Sequence, residues 1–312
     1  MEQPNVQPMR PAALTPGQHT TARDYLGEML GRFLKKQERI LLCCPADGPD
    51  SLCSLMQESV RDAGAVPIPC GKDLRWKTLL WLAFSQKTTA IAGPPAVILG
   101  LAKLSRLAGT PLFIRNAVLI GDPCPDWMHE SIQQGLDCRV WDCYAPDGGP
   151  MVIGFSCGRC RGIHLREPDF SAQILSPIGT ILPYGTQGQI LLTGDALSEP
   201  RITGYCGRLE CASCFCTIRS PRLLSIQPDP AAVDPELVAL QDRLLSWGSV
   251  LDCRLARGEY GLEMELVTFP GEKLPKLPTA ARQIVRPWES AGDVPFCFQA
   301  NAKKPGDSHR MD

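Results

Sequence analysis

No stretch of this sequence is apolar for long enough to span a bilayer. The richest, Ala90 to Leu104, is broken by Pro94, Pro95 and Lys103, and a spanning helix needs ~20 largely uninterrupted apolar residues. The opening residues, MEQPNVQPMRPAALTPGQ, hold no apolar core of an export signal. Neither sign of charge is in excess: the formal net charge is −1 over 312 residues. No global field therefore favours nucleic acid or an anionic membrane, and no stripe of Arg or Lys interleaved with aromatics runs along the chain. Internal repeats are also missing. These absences predict a cytoplasmic protein with no membrane and no nucleic-acid partner.

What the chain does have is cysteine, 15 in all. In a reducing compartment these are thiols or metal ligands rather than disulfides. Scattered ones such as Cys43, Cys44, Cys70, Cys138 and Cys253 read as small buried hydrophobes. Two groups do not scatter. SCGRCRGIHLREPDF places Cys157, Cys160 and His164 at C-x2-C-x3-H spacing, and ECASCFCTIRSPR places Cys211, Cys214 and Cys216 at C-x2-C-x-C. Thiolates and an imidazole in two separated clusters are the arithmetic of a structural zinc site, which takes four ligands. Six are present. The preferred set is Cys157, His164, Cys214 and Cys216, with Cys160 and Cys211 as substitutes or neighbouring thiols. Unliganded thiols and an iron–sulfur cluster are the alternatives; a histidine at compatible spacing favours zinc. A site closed by four protein ligands leaves no position for substrate, so the metal is expected to staple the fold.

With 44% hydrophobic and 21% charged residues, the composition is that of a globular protein with a sizeable core. Residues 1–20 are rich in Pro and Gln and read as a mobile tail. From 21 to 150, apolar runs (RILLCC, VPIP, TAIAG, AVLIG, CRVWDC) alternate with segments of helical period. That alternation predicts an α/β core, a parallel sheet flanked by helices on both faces. Asp126 reads as a helix N-cap. Residues 151–226 turn into short, turn-punctuated strands, a β-rich subdomain with the metal site. A linker, QPDPAAVDP, leads to a small C-terminal α/β module at 234–298, and 299–312 reads as a second tail. Within the module, TAARQIVRPW is a short helix or a closing strand.

These stretches, in order, resemble phenylacetate–CoA ligase and its AMP-forming relatives. The likeness runs from about Thr21 to Leu224, through VLIGDPCPDWMHESIQQGLDCRVWDCYAPDGGP, GFSCGRCRGIHLREPDF…ILSPIGTILPYGTQGQILLT and CFCTIRSPRL. Such ligases activate a carboxylic acid with ATP and Mg2+ and pass the acyl group to coenzyme A. The resemblance implies that Gly121, Asp122 and Pro123 line an adenine pocket and that Tyr144 stacks on the base. It implies the zinc set Cys157, His164, Cys214 and Cys216 found in some members. It also implies Asp147 as the magnesium carboxylate and, weakly, Lys273 (or Lys276) as the C-terminal lysine that contacts the activated carboxylate.

The departures are as informative. The family's Ser/Thr/Gly-rich phosphate loop falls on PAALTPGQHTTARDY, where Pro11 and Pro16 remove N–H donors and only Gly17 easily takes left-handed geometry. Asp147 has a shorter reach than the Glu it replaces. In PRITGYCGRLE, Arg208 stands where the family's ribose-binding Asp belongs, a position from which it could instead pair with a phosphate. The Thr193-Gly194-Asp195 triplet comes too early to be that motif and reads as a strand-end turn. The expectation is a shortened, divergent adenylate-forming ligase, degenerate for ATP use and acting as a binding or partner subunit. A second protein chain would complete its site. The alternative is an active acid–CoA ligase acting on a small carboxylic acid.

Overall fold

The computed structural model describes residues 14–44, 48, 51–70, 74–146, 151–211, 214–280 and 282–291. Its first half is a run of strand–helix units: α1 (Pro16–Gly31), β1 (Arg39–Leu42), α2 (Leu52–Asp62), β2 (Val66–Pro69), α3 (Trp76–Ser85), β3 (Ala90–Gly93), α4 (Pro95–Leu107), β4 (Asn116–Gly121), α5 (Asp126–Leu136) and β5 (Arg139–Tyr144). The strands lie in the order β2-β1-β3-β4-β5, all parallel. Both faces are buried, and side chains alternate between them as the pleat requires. Leu41, Ile91, Ala117 and Leu119 enter one core with α3, α4 and α5. Ile40, Leu42, Ala90, Ala92, Val118 and Ile120 enter a second with α1 and α2.

The second half adds β6 (Gly154–Ser156), β7 (Ile163–Leu165), β8 (Ser171–Leu175), β9 (Gly188–Thr193), β10 (Arg201–Glu210) and β11 (Arg222–Pro228). Here the structure departs from the expected parallel sheet. These strands do not form a separate sheet. β6 pairs antiparallel with β5, and the eleven strands make one mixed sheet ordered β2-β1-β3-β4-β5-β6-β7-β11-β10-β9-β8. A third core, which includes Tyr144, Ile153, Phe170, Ile190 and Leu223, fills this part.

The C-terminal residues form α6 (Pro235–Leu245), β12 (Val250–Gly258), β13 (Gly261–Thr268) and β14 (Arg282–Pro287), a three-stranded sheet with one helix. RQIVRP is thus a strand. This module has no core of its own. Leu244, Leu245, Val250, Leu251 and Leu266 share the first core with Trp76, Ile98 and Leu101. Helix α4 is sandwiched between the main sheet and β12, and every residue from Val97 to Ser105 is buried. Gly100 permits the approach: a Cβ there would sit 2.2 Å from the Trp76 ring and 2.7 Å from the Leu251 carbonyl oxygen.

Two local boundaries also differ from expectation. Helix α1 begins at Pro16, inside the segment read as a tail. Thr15 accepts from the Gln18 N–H while the Gln18 side chain accepts from the Thr15 N–H, a capping box with Pro at the first helical position. Asp126 is the first residue of α5, and Pro125 holds the cap position without a side-chain bond. Residues 1–13 and 292–312, which contain most of both expected tails, lie outside the described residues. Among the described residues no helix is long and apolar enough to cross a membrane.

Candidate functional site

The two cysteine clusters meet where β6, β7 and β11 adjoin. Cys157 follows β6 directly, and His164 is the central residue of β7, held opposite Phe155 by the antiparallel ladder. Cys214 and Cys216 lie in the connection from β10 to β11, which doubles back because Arg222 and Leu223 pair with His164 and Ile163. One ligand atom from each of Cys157, His164, Cys214 and Cys216 falls within a group no more than 4.8 Å across. The Sγ atoms of Cys157 and Cys214 are 3.5 Å apart, and Cys216 Sγ is 3.4 Å from His164 Nε2. A tetrahedral zinc ion with its usual bond lengths separates two sulfurs by about 3.8 Å and a sulfur from a nitrogen by about 3.5 Å. The donor set, three thiols and one imidazole, therefore fits a single tetrahedral ion with little movement.

The surroundings fit as well. His164 is 1% exposed, and its Nδ1 lies 3.0 Å from the Ser220 carbonyl oxygen. That acceptor places the proton on Nδ1 and leaves the Nε2 lone pair facing Cys216, the usual orientation of a metal-bound imidazole. Burial lowers the His164 pKa, which favours the neutral ring. Burial opposes ionising Cys157, but the N–H groups of Arg159 and Cys160 outweigh it and hold this thiol below its ordinary pKa. Cys214 is pushed up by burial, to about 12. The knuckle itself needs its glycines. Gly158 has φ +66° and a Cβ would strike the Trp141 ring at 2.5 Å; Gly162 has φ +97° and lies against the Leu223 carbonyl. Arg222 clamps the turn, donating to the Arg161 carbonyl and to Glu210. Ser220 and Arg222 were not singled out from the sequence; the only signal was their place in the RSPR segment after the second cluster.

The remaining two thiols differ. Cys160 lies against Cys214, at the edge of the group. Cys211 is exposed and its thiol meets the Tyr184 hydroxyl.

The nucleotide-site positions are less convergent. Gly121, with φ +121°, ends β4, and Asp122 and Pro123 begin the turn to α5. Tyr144 ends β5 beside Gly121 in the ladder. It is 1% exposed and meets Tyr205 edge-on at 6.3 Å, so its ring is part of the third core and presents no open face to a base. Asp147 lies outside the described residues. Arg208 is exposed on β10, next to a bulge opposite β11. Lys273 is exposed on the loop after β13; its carbonyl accepts from Ser249, and among the described residues its side chain makes no hydrogen bond or ion pair. Asp195 sits in the turn after β9, where Gly194 has φ +132° and packs on the Asp169 backbone.

No protein-family model matches the sequence, and no curated protein matches it. Solved structures do. 2-Hydroxyisobutyryl-CoA ligase, in the postadenylation state with an AMP adduct, superposes with a TM-score of 0.67 at 13% identity, covering 93% of this chain and 71% of that one. A benzoate-CoA ligase from Burkholderia xenovorans LB400 gives 0.55 at 11% identity, covering 85% and 61%. The amide bond synthetase McbA from Marinactinospora thermotolerans gives 0.53 at 12%, covering 85% and 62%. Identities this low speak to the fold alone, and what they establish is a fold shared with these two CoA ligases and the amide bond synthetase.

Proposed function

We propose that this protein is a phenylacetate–CoA ligase-like chain that no longer handles ATP productively and serves as a binding or partner subunit. In this reading a second chain completes the site, and one structural zinc ion pins β6, β7 and the β10–β11 connection together. Cys157, His164, Cys214 and Cys216 would hold the ion, which supplies a cross-link and no open coordination position.

The observation that carries the loss of ATP handling is the start of α1. A phosphate cradle works by leaving backbone N–H groups free to point at the anion. Here the Gln18 N–H is taken by Thr15 Oγ, the Thr15 N–H by Gln18 Oε1 and the His19 N–H by the Thr15 carbonyl, while Pro16 has none. The Gln18 side chain is itself tied to the Ala196 carbonyl. The exposed guanidinium of Arg208, where the resemblance calls for a ribose-binding carboxylate, supports the same conclusion.

The test is ATP–pyrophosphate exchange at millimolar ATP and magnesium over a panel of aryl and acyl acids. The expected result is no exchange, and no rescue by Arg208→Asp. Exchange with any acid, abolished by Asp147→Ala, would make the protein an active ligase. Elemental analysis of protein purified without added metal is expected to find about one equivalent of zinc. A brown iron–sulfur chromophore would refute the zinc assignment.

A further inference from the structure

The helices α1, α3 and α5 end, and the strands β1, β3, β4 and β5 begin, along one edge of the main sheet. This edge is opposite the one that carries Gly121 and Tyr144. Cations collect there. Arg39 and Arg139 are the first residues of β1 and β5, and Arg115 immediately precedes β4. One line of backbone bonds sets them side by side: Thr89 N–H to the Arg39 carbonyl, Arg115 N–H to that of Thr89, and Arg139 N–H to that of Arg115. Lys87 stands two residues before Thr89, and Lys35 and Lys36 lie on the approach to β1. At the usual strand spacing the row spans about 14 Å. It lines two adjoining depressions of about 520 and 440 Å³ that share Arg115.

These charges are not spent internally. All six are exposed, and among the described residues only Arg39 makes a side-chain hydrogen bond, to the Gln86 carbonyl. Among the described residues none of the six forms an ion pair. The one acid on the floor, Glu38, is 7% exposed and turned inward, accepting from the Lys35 N–H and the Thr89 hydroxyl. Asp137 is the other acid lining the depressions. Six cations against two acids is a local surplus on a chain whose net charge is −1. Helix C-termini account for two of the six at most, since Arg39 donates to the carbonyl of Gln86, the C-cap of α3, and Lys87 follows that cap, whereas none of the six lies in the last turn of α1, α3 or α5. Beside the row stand two exposed aromatics: Phe113, 77% exposed and two residues before Arg115, and Phe84, 55% exposed, whose carbonyl accepts from the Lys87 N–H.

We propose that this furrow binds single-stranded nucleic acid. A cationic groove that follows a phosphate backbone, with aromatics at hand for the bases, is how such strands are held without sequence preference. The concave shape and the amide and hydroxyl groups in it (Gln37, Thr89, Gln133) suit a strand better than a bilayer surface, which would meet a flat or convex face. The proposal is independent of the nucleotide-site reading, since the two lie at opposite ends of the strands.

The experiment is fluorescence anisotropy with labelled oligo(dT) and oligo(U) and the full chain, over a series of salt concentrations. Binding is expected with a dissociation constant on the order of 10⁻⁵ M at moderate salt, and about four phosphate contacts give a slope of roughly −3 in log K against log salt. Lys87→Glu combined with Arg115→Glu should weaken binding at least ~10-fold. Phe113→Ala should weaken it about fivefold or more with the slope unchanged. If the charge-reversed protein fails to fold by its thermal transition, the neutral pair Lys87→Gln and Arg115→Gln replaces it. Absence of binding at low salt, or equal affinity in the folded variants, overturns the proposal. So does binding confined to phosphatidylserine-containing vesicles and lost in the same variants.

Discussion

Replacing Lys103 by methionine should loosen the C-terminal module. Lys103 lies on α4, 9% exposed. Its Nζ donates to the carbonyls of Leu245, Trp247 and Val250, the last two at 3.0 and 2.8 Å. The acceptors are the last residue of α6, a residue of the turn that follows and the first residue of β12. One ammonium therefore closes the C-terminal end of α6, where the helix dipole favours a cation, and fixes the small module to the main sheet's helices. Methionine keeps the packed stem and removes the three donors. Each buried carbonyl left without a partner costs ~1–3 kcal/mol, although that of Trp247 keeps the Val250 N–H. The three are not additive, and removing a buried charge gives some of the loss back. A net cost of about 3 kcal/mol follows, which lowers Tm by about 6–12 °C for a chain of this size. The pH dependence adds a signature. Burial, with a smaller push from Arg106, pulls the Lys103 pKa down to about 7. A lysine whose folded pKa lies below its unfolded value contributes stability that is complete above the unfolded value, ~10.4, and is lost as pH falls toward 7. Wild type should therefore show this loss between pH 10 and 7, and Lys103→Met should lack it. Thermal and urea unfolding measure the first effect, and limited proteolysis around residues 229–234 reports detachment. A variant as stable as wild type would refute the latch.

Three further outcomes test other parts of the molecule. Gly100→Val should cost more than ~2 kcal/mol in urea unfolding, because the clash with Trp76 and Leu251 outweighs the gain in helix propensity; a neutral result would mean that α4 and β12 do not approach so closely. Arg166 is 3% exposed, with an ion pair to Asp169 and Phe170 under its guanidinium, yet neither Nη finds a hydrogen-bond partner among the described residues. Arg166→Met should therefore cost on the order of 3 kcal/mol, because it strips the largely buried Asp169 carboxylate of its cation, and Arg166→Met combined with Asp169→Asn should cost less; a neutral single variant would mean that the pair contributes nothing. Finally, Cys216→Ser should abolish zinc retention and lower Tm, whereas Cys211→Ser should do neither; metal analysis of the two variants that gave the reverse would overturn the ligand set.

Parallel βαβ units were legible because each strand inside the edge strand β2 is a short, largely buried apolar run and each helix has its own period. The joining of β5 to β6 was not. It is a matter of backbone hydrogen bonds, and a change in side-chain pattern near Asp147 looks the same whether the next strands continue a sheet or begin another. The start of α1 was legible in principle, since Thr15 and Gln18 stand at capping-box spacing, but the flanking prolines drew the reading toward a tail. Among the six soft ligands, spacing marked two groups and could not say which thiols turn inward. Cys211 ends up exposed because Glu210, its neighbour on β10, is still paired with Arg222 in the ladder. The shared core of the C-terminal module was hidden for a similar reason, since α4 reads as a helix with one apolar face and is in fact covered on two.

The cationic row shows why a scan along the chain misses what the fold assembles. In a doubly wound sheet, equivalent positions of successive units are dozens of residues apart in sequence and one strand apart in space. A search for a basic stripe samples neighbours, and around Lys87, Arg115 and Arg139 each neighbourhood holds few charges, while beside Arg39 the cations Lys35 and Lys36 are interrupted by Glu38. Sampling once per unit, at the residue that opens or precedes each strand, finds a cation in β1, β4 and β5, and Lys87 stands three residues ahead of β3 between them. The near-zero net charge argues against a field over the whole surface. It does not argue against a local one, because a Debye length of about 10 Å at moderate salt is shorter than the row itself, so acids elsewhere on the molecule do not cancel it.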